Sequence, residues 1–259
     1  MSEPSGKQII FDVQSHLREY PLIVHAKPSA FVRQVQKLEE RMFEGLLDPS
    51  QPKRLKSPGY SWLYRPSHHM KSGLVTEADI ERLKGGAHML SVGAYPAALE
   101  QTLVALGVPE SSLCIGDKLP EIMEIKDAGK TLHFDLCNDW PNTGAFDVII
   151  FPESLCIAID DHLPKGLDRT ERDAREAELL AHVLSQALNR LNPGGEIRAN
   201  GPMSHPAVVK RAAVILAKER QKAEIAYARF FLRVQHRGTA APQSSQVHCG
   251  NFFTLPRSP

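Results

Sequence analysis

The chain has 259 residues, with 31 lysines and arginines against 30 aspartates and glutamates and a formal net charge of +1. That balance excludes a global field that would draw it to nucleic acid or to an anionic membrane surface. At 42% hydrophobic residues the chain is too apolar to be disordered, and it is long enough to bury one main core with an appended part.

The start, MSEPSGKQIIFDV, shows no basic region leading into a long apolar stretch, and nowhere do about 18 apolar residues run together. A cytoplasmic location is expected. Ile9, Ile10, Val13 and Leu17 fall near the helical period until Tyr20 and Pro21 stop them. A second helix is predicted behind the cap Ser29, with Phe31, Val35, Leu38 and Met42 on one face. Over residues 48–75 the periodicity disappears, and Pro49, Pro52, Pro58 and Pro66 interrupt a run holding Tyr60, Trp62, Tyr64, His68 and His69. This segment reads as a long loop, either a lid over a binding site or a linker. Its aromatics either close over a flat ligand or pin the extension to the domain. The two histidines are expected to be solvated, since neither HExxH nor a clustered Cys/His spacing accompanies them. Thr76 with Asp79 forms a capping-box pattern, Ile80 and Leu83 supply an inner face, and Gly85 and Gly86 end that helix. Residues 1–85 are thus read as an N-terminal helical extension and 86–259 as the main α/β domain.

From there strand and helix alternate. Apolar strands are predicted over 88–93, 112–116, 131–134, 146–151 and 196–200, a pattern that suggests a parallel sheet covered on both faces. Leu99, Leu103 and Leu106 line a first helix, and Ile122 and Ile125 mark a shorter one. Ala177, Leu180, Leu184, Leu188 and Leu191 line the longest, which ends before Pro193, Gly194 and Gly195. A last helix over 204–220 is followed by strand-like segments 226–235 and 247–255, read as a closing antiparallel hairpin around the turn-rich stretch 238–246. Cys114, Cys137, Cys156 and Cys249 stand far apart without a CxxC pair and read as reduced packing residues.

In an open parallel sheet, ligands bind beyond the carboxyl ends of the strands. After the first strand, Gly93 permits a tight turn, and the following helix offers free N–H groups suited to a carboxylate or phosphate. Asp117, after the second, can accept ribose hydroxyls or cap a helix. Asp135, after the third, can accept from an exocyclic amine, with Leu136 and Trp140 flanking a purine; Asp135 and Asp139 can equally cap the turn around Asn138. Glu153, after the fourth, can orient an amine or take a proton, or merely start a helix. Asp160, Asp161 and His162 read as a surface turn. No metal site is expected.

The segments HMLSVGAYPAALEQTL, LCIGDKLPEI, TLHFDLCNDW, FDVIIFPESL and LNPGGEIRANGP resemble, in order and spacing, the successive motifs of class I S-adenosylmethionine (SAM)-dependent methyltransferases. FFLRVQHR and VHCGNFFTL are similar to that family's terminal hairpin, so the resemblance spans residues 86–257. It implies a Rossmann-like, mostly parallel seven-stranded sheet with helices on both faces and a C-terminal antiparallel hairpin. It also implies SAM as cofactor, held by Gly93, Ala94 and Tyr95, by Asp117 and Lys118, by Asp135 and Leu136, and by Phe151. Gly93 would lie under the methionine part, Asp117 on the ribose and Asp135 near the adenine amine. Phe151 to Ser154 would line the transfer site, where Glu153 is the catalytic candidate. The chain departs from the family in its first loop, where an acidic residue and two or three glycines give way to Ser91, Val92, Gly93, Ala94, Tyr95 and Pro96.

FPESL does not match the NPPY-like motif of amino-methylating nucleic-acid enzymes, and the neutral chain favours a small-molecule or protein acceptor over nucleic acid or membrane. A homodimer stays open. So do two other readings: a non-catalytic binding module of the same fold, and a transferase that uses another arm of SAM. A nicotinamide oxidoreductase fits poorly, because Tyr95, Ala97 and Ala98 stand where its glycines are needed.

Overall fold

The computed structural model describes residues 27–47, 54–56, 63–201, 204–218, 223–228 and 231–236. The predicted helix over 9–17, Tyr60, Trp62, Cys249 and the predicted strand over 247–255 lie outside them.

Helix α1 (Ala30–Met42) starts where Ser29 Oγ accepts from the Val32 amide at 3.1 Å. Its inner face is Val32, Val35 and Glu39, while Met42 is exposed, so the predicted apolar face is turned by about a residue. The cause is Glu39. Its carboxylate faces inward, accepts from the Ser67 amide and hydroxyl, and pairs with Arg65 at 2.8 Å. The segment expected to be a loop has structure of its own. Strands β1 (Arg54–Leu55) and β2 (Leu63–Tyr64) form an antiparallel ribbon, and α2 (Pro66–Lys71) begins with a proline at a position where its missing N–H leaves no bond unmade. The histidines expected to be solvated lie on α2. His68 stacks on Tyr64 with ring centroids 4.1 Å apart, and His69 is buried. Helix α3 (Glu77–Lys84) carries the full Thr76–Asp79 capping box.

The main sheet contains β3 (Met89–Val92), β4 (Leu113–Asp117), β5 (Lys130–His133), β6 (Phe146–Pro152), β7 (Leu191–Asn200), β8 (Ala223–Ala228) and β9 (Phe231–His236), in the spatial order β5-β4-β3-β6-β7-β9-β8. Strands β5, β4, β3, β6 and β7 pair in parallel, and β9 then pairs antiparallel with both β7 and β8. The expected partner of 226–235, the stretch 247–255, lies outside the described residues, but the first of the two predicted strands is corrected. The stretch 226–235 is not one strand but is divided between β8 and β9, which pair with each other. Helices α4 (Ala98–Ala105), α5 (Leu155–His162), α6 (Arg169–Leu188) and α7 (Pro206–Lys218) complete the alternation. Leu191, predicted as the end of α6, is the first residue of β7, and Pro193 to Gly195 are accommodated where the β6–β7 register shifts. Ile122 sits in a 3₁₀ turn (Pro120–Glu124) rather than a helix, and Asp160 to His162 belong to α5 rather than to a surface turn.

Successive residues of a strand point to opposite faces, which explains the two cores. Leu90, Ile149 and Phe151 pack under α6 and α7 through Leu180, Leu184 and Val209. Met89, Val148 and Ile150 pack on the other face against Leu103 of α4 and against Val35, Leu74 and Leu83. The N-terminal helices therefore cover a sheet face that would otherwise lie open.

A buried ionic knot fastens this cover. Arg198 of β7 donates from Nη2 to Asp79 Oδ1 at 3.1 Å and from Nε to Glu196 Oε2 at 2.9 Å, and also bonds Asp79 Oδ2. Burial works against the charge of Asp79, but the Arg198 hydrogen bonds and charge outweigh it and hold the carboxyl below its ordinary range. A depressed pKa means that this stabilisation is present above the unfolded carboxylate value and is lost as pH falls through the folded one. Asp79→Asn leaves Arg198 without its bidentate partner and is expected to cost about 3–5 kcal/mol at neutral pH. Urea unfolding of variant and wild type, with a difference that shrinks on acidification, checks this.

Candidate functional site

Sequence order runs from β3 outward to β4 and β5, then returns to β6 on the other side of β3. The switch point thus lies between β3 and β6, where an open sheet leaves a crevice at its carboxyl end. A cleft of about 450 Å³ opens there, within the range of small-molecule sites. It is lined from the sheet by Gly93, Tyr95, Asp117, Phe134, Asp135 and Glu153, among others.

Gly93 has φ +72°, and its amide donates to Gly116 O at 2.7 Å. A Cβ on Gly93 would lie 2.2 Å from Ser154 Cβ, while Ser154 Oγ donates to Val92 O at 2.6 Å. Backbone conformation and close approach both require glycine here. The chain does not pass straight into α4. A cis Tyr95–Pro96 bond and Ala97 at φ +64° intervene, and Ala97 caps the helix without a side-chain bond. Ala94, expected to line the cofactor site, is buried among Ala97, Ile115 and Ile122 and is absent from the cleft wall.

Asp117 joins two loops. Its Oδ2 accepts from the Tyr95 amide at 3.1 Å and its Oδ1 from the Leu119 amide at 2.9 Å. The residue is 2% exposed, and burial raises its pKa against the opposing effect of those amides. An ionised carboxylate has about four acceptor positions, so acceptor capacity remains at the cleft floor. Lys118 reaches across the cleft mouth to Asp161 at 2.7 Å, in an exposed pair.

Asp135 shows the turn-capping geometry, with Oδ1 accepting from the Cys137 amide at 2.9 Å, and its Oδ2 stands 3.2 Å from His162 Nε2. Leu136 is on the cleft wall. Trp140 is not. It is buried between Phe134 and Phe151, with Nε1 donating to Leu136 O at 2.8 Å, so its expected place beside a purine is corrected. Phe151 is likewise fully buried, because the alternation along β6 points it into the core; the strand ends at Pro152, and Pro152, Glu153 and Ser154 line the cleft.

Glu153 occupies a left-handed conformation, φ +57°, which costs about 1–3 kcal/mol unless its surroundings impose it. They do so through Asn200, whose Oδ1 accepts from the Glu153 amide at 3.1 Å and whose Nδ2 donates to Ser72 Oγ at 3.1 Å and to His69 Nδ1 at 3.0 Å. Burial holds His69 down to about 3, with the charge of His68 adding to the effect, so the ring is neutral and Nδ1 accepts. Burial pushes the Glu153 carboxyl up to about 7, with the Arg54 charge opposing. Arg54 itself lies 4.6 Å over the Tyr64 ring and donates to the Tyr64 hydroxyl at 3.1 Å.

Sequence reasoning missed Arg54 and Phe134. Arg54 sits in a segment without periodicity and carries no signal. Phe134 had one: Gly116 is a glycine inside a strand, and a Cβ there would meet the Phe134 ring at 2.1 Å.

No protein-family model and no curated protein sequence matches the chain. Among solved structures it is similar to an amino pentose methyltransferase of Micromonospora echinaspora with SAM bound, at 11% identity over 61% of this chain and 87% of that one, with a TM-score of 0.43. It is also similar to a sugar N-methyltransferase of a Streptoalloteichus species, at 11% identity over 62% and 85% with a TM-score of 0.42. A third is a ribosomal protein L11 methylase of Lactobacillus delbrueckii, at 16% identity over 66% and 80% with a TM-score of 0.40. No helix among the described residues is long and apolar enough to cross a membrane.

Gly93→Ala is expected to destabilise the protein by about 1–3 kcal/mol from backbone strain alone. Adding Ser154→Gly should relieve the steric part and leave the strain. Urea midpoints of the two variants separate these contributions.

Proposed function

We propose that this cleft holds SAM and that the protein transfers its methyl group to a small-molecule or protein acceptor. One observation carries the reading: Gly93, Asp117, Asp135 and Glu153, each at or just beyond the end of a different strand, stand around one cleft at the switch point. The acceptor capacity left on Asp117 suits ribose hydroxyls, Gly93 and Tyr95 border the methionine end, and Leu136 with Phe134 offers apolar surface to the adenine.

When bound, SAM supplies a methyl group already activated by its sulfonium, so the protein's part is to position the acceptor and exclude water. Glu153 is the group able to take a proton from a hydroxyl or ammonium acceptor, since its carboxyl titrates near neutrality and its backbone is fixed by Asn200. Arg54 and Tyr64 border the cleft from the N-terminal ribbon, which supports the lid reading of that segment.

A second reading, a non-catalytic binding module, draws on Ser154. The space above Gly93 is already filled by that side chain, so packing within the chain is itself sufficient reason for the glycine. Calorimetric titration with SAM and S-adenosylhomocysteine decides between the two. Micromolar binding, weakened at least about tenfold in Asp117→Ala, supports the first reading; no binding by the folded protein supports the second. Once an acceptor is found, turnover should rise as pH passes about 7 and Glu153 ionises. Glu153→Gln should lower it by about 10²-fold or more with SAM affinity kept. A product carrying more mass than a methyl group would indicate transfer of another arm of SAM.

A further inference from the structure

Asp135 and Cys137, from the loop after β5, meet His162 at the end of α5. A carboxylate oxygen of Asp135, the Cys137 sulfur and a ring nitrogen of His162 all lie within 4.8 Å of one another. His162 Nδ1 is 2.8 Å from Ala158 O, and a carbonyl only accepts, so Nδ1 carries a proton. Nε2 then faces Asp135 Oδ2 at 3.2 Å. A neutral imidazole would set a lone pair against a carboxylate oxygen, so a positive species must join the two atoms, either a proton or a metal ion. The Cys137 thiol, which donates to Ala158 O at 3.7 Å, takes no part in that contact, and on losing its proton as a metal binds it completes a nitrogen, oxygen and sulfur donor set.

We propose that Asp135, Cys137 and His162 form a binding site for a borderline-soft divalent metal of the Zn²⁺ class. In tetrahedral zinc coordination, ligand atoms stand about 3.3–3.6 Å apart, close to the 3.2 Å between Asp135 Oδ2 and His162 Nε2, and the three donors already lie within 4.8 Å of one another. Mixed donors of this kind exclude Mg²⁺ and Ca²⁺, which take oxygen ligands. The Ala158 carbonyl is the outer partner that fixes the imidazole. Cys137 is buried and the Asp135 carboxylate is already oriented by the Cys137 amide, so little of the site remains to be ordered on binding. The metal would tie the β5 loop to α5 beside the cleft, with a fourth position left to water or to a ligand there. Asp135 lines the cleft, so occupancy of the site and of the cleft are coupled, and each alters the affinity for the other by the same factor.

The test uses the full chain stripped with a chelator, then titrated with Zn²⁺ against a chromophoric competitor, and separately with Co²⁺ followed by absorption. The expected result is one high-affinity ion per chain, with a thiolate-to-cobalt charge-transfer band. Cys137→Ser should abolish that band, and Cys137→Ser and His162→Gln should each weaken Zn²⁺ binding by about 100-fold or more. Metal-free melting curves matching the wild type establish that the variants fold. Absence of Zn²⁺ binding at micromolar concentrations overturns the proposal. So does binding that survives Cys137→Ser unchanged, since the aspartate–histidine ion pair would then account for the geometry.

Discussion

The carboxylate of Asp117 is the fastening on which the cleft depends. It stands at the end of β4 and accepts from backbone amides of two loops, Tyr95 after β3 and Leu119 after β4. Parallel strands end in loops whose amides have no partner within the sheet, and a buried amide left unpaired costs about 1–3 kcal/mol. One ionised side chain satisfies both and fixes the distance between the loops. The floor of the cleft is therefore set before any ligand arrives, and the raised pKa of Asp117 is the consequence of burial, which outweighs the opposing backbone amides and the charge of Lys118.

The far wall is held differently. Glu153 keeps its left-handed backbone because Asn200 accepts from its amide, and Asn200 is oriented by Ser72 and by a neutral His69. Two of those residues belong to the N-terminal segment. That segment also closes a sheet face with Val35, Leu74 and Leu83, and it joins β7 through the Asp79–Arg198 pair. Residues far from the sheet in sequence thus shape the cleft, by supplying both the missing half of a core and the polar partners of its catalytic candidate.

The repeating architecture was legible because strand and helix leave different periods. The runs MLSV, LCIGD and FDVIIFP, and the caps Ser29 and Thr76, are local signals that the structure places within a residue or two of where they were read. Distant pairing was not legible. Glu39 turns inward because Ser67 and Arg65 meet it, and nothing within α1 announces this. The division of 226–235 between β8 and β9 depends on which neighbour each half pairs with, which an apolar run does not encode. Gly93, Asp117, Asp135 and Glu153 line the cleft, a placement legible from their positions at strand ends, whereas Phe151, Ala94 and Trp140 lie off its wall because side-chain direction depends on register and loop path. Arg54 was invisible for want of any pattern around it.

A nucleoside ligand in the cleft would be enclosed by the loops that Asp117 ties together. Hydrogen–deuterium exchange of the full chain with and without saturating SAM tests this most directly. Added protection is expected at residues 93–97, 117–119 and 134–137, with the strands of the core unchanged. Exchange that is identical in these loops, or protection confined to other surfaces, would contradict it.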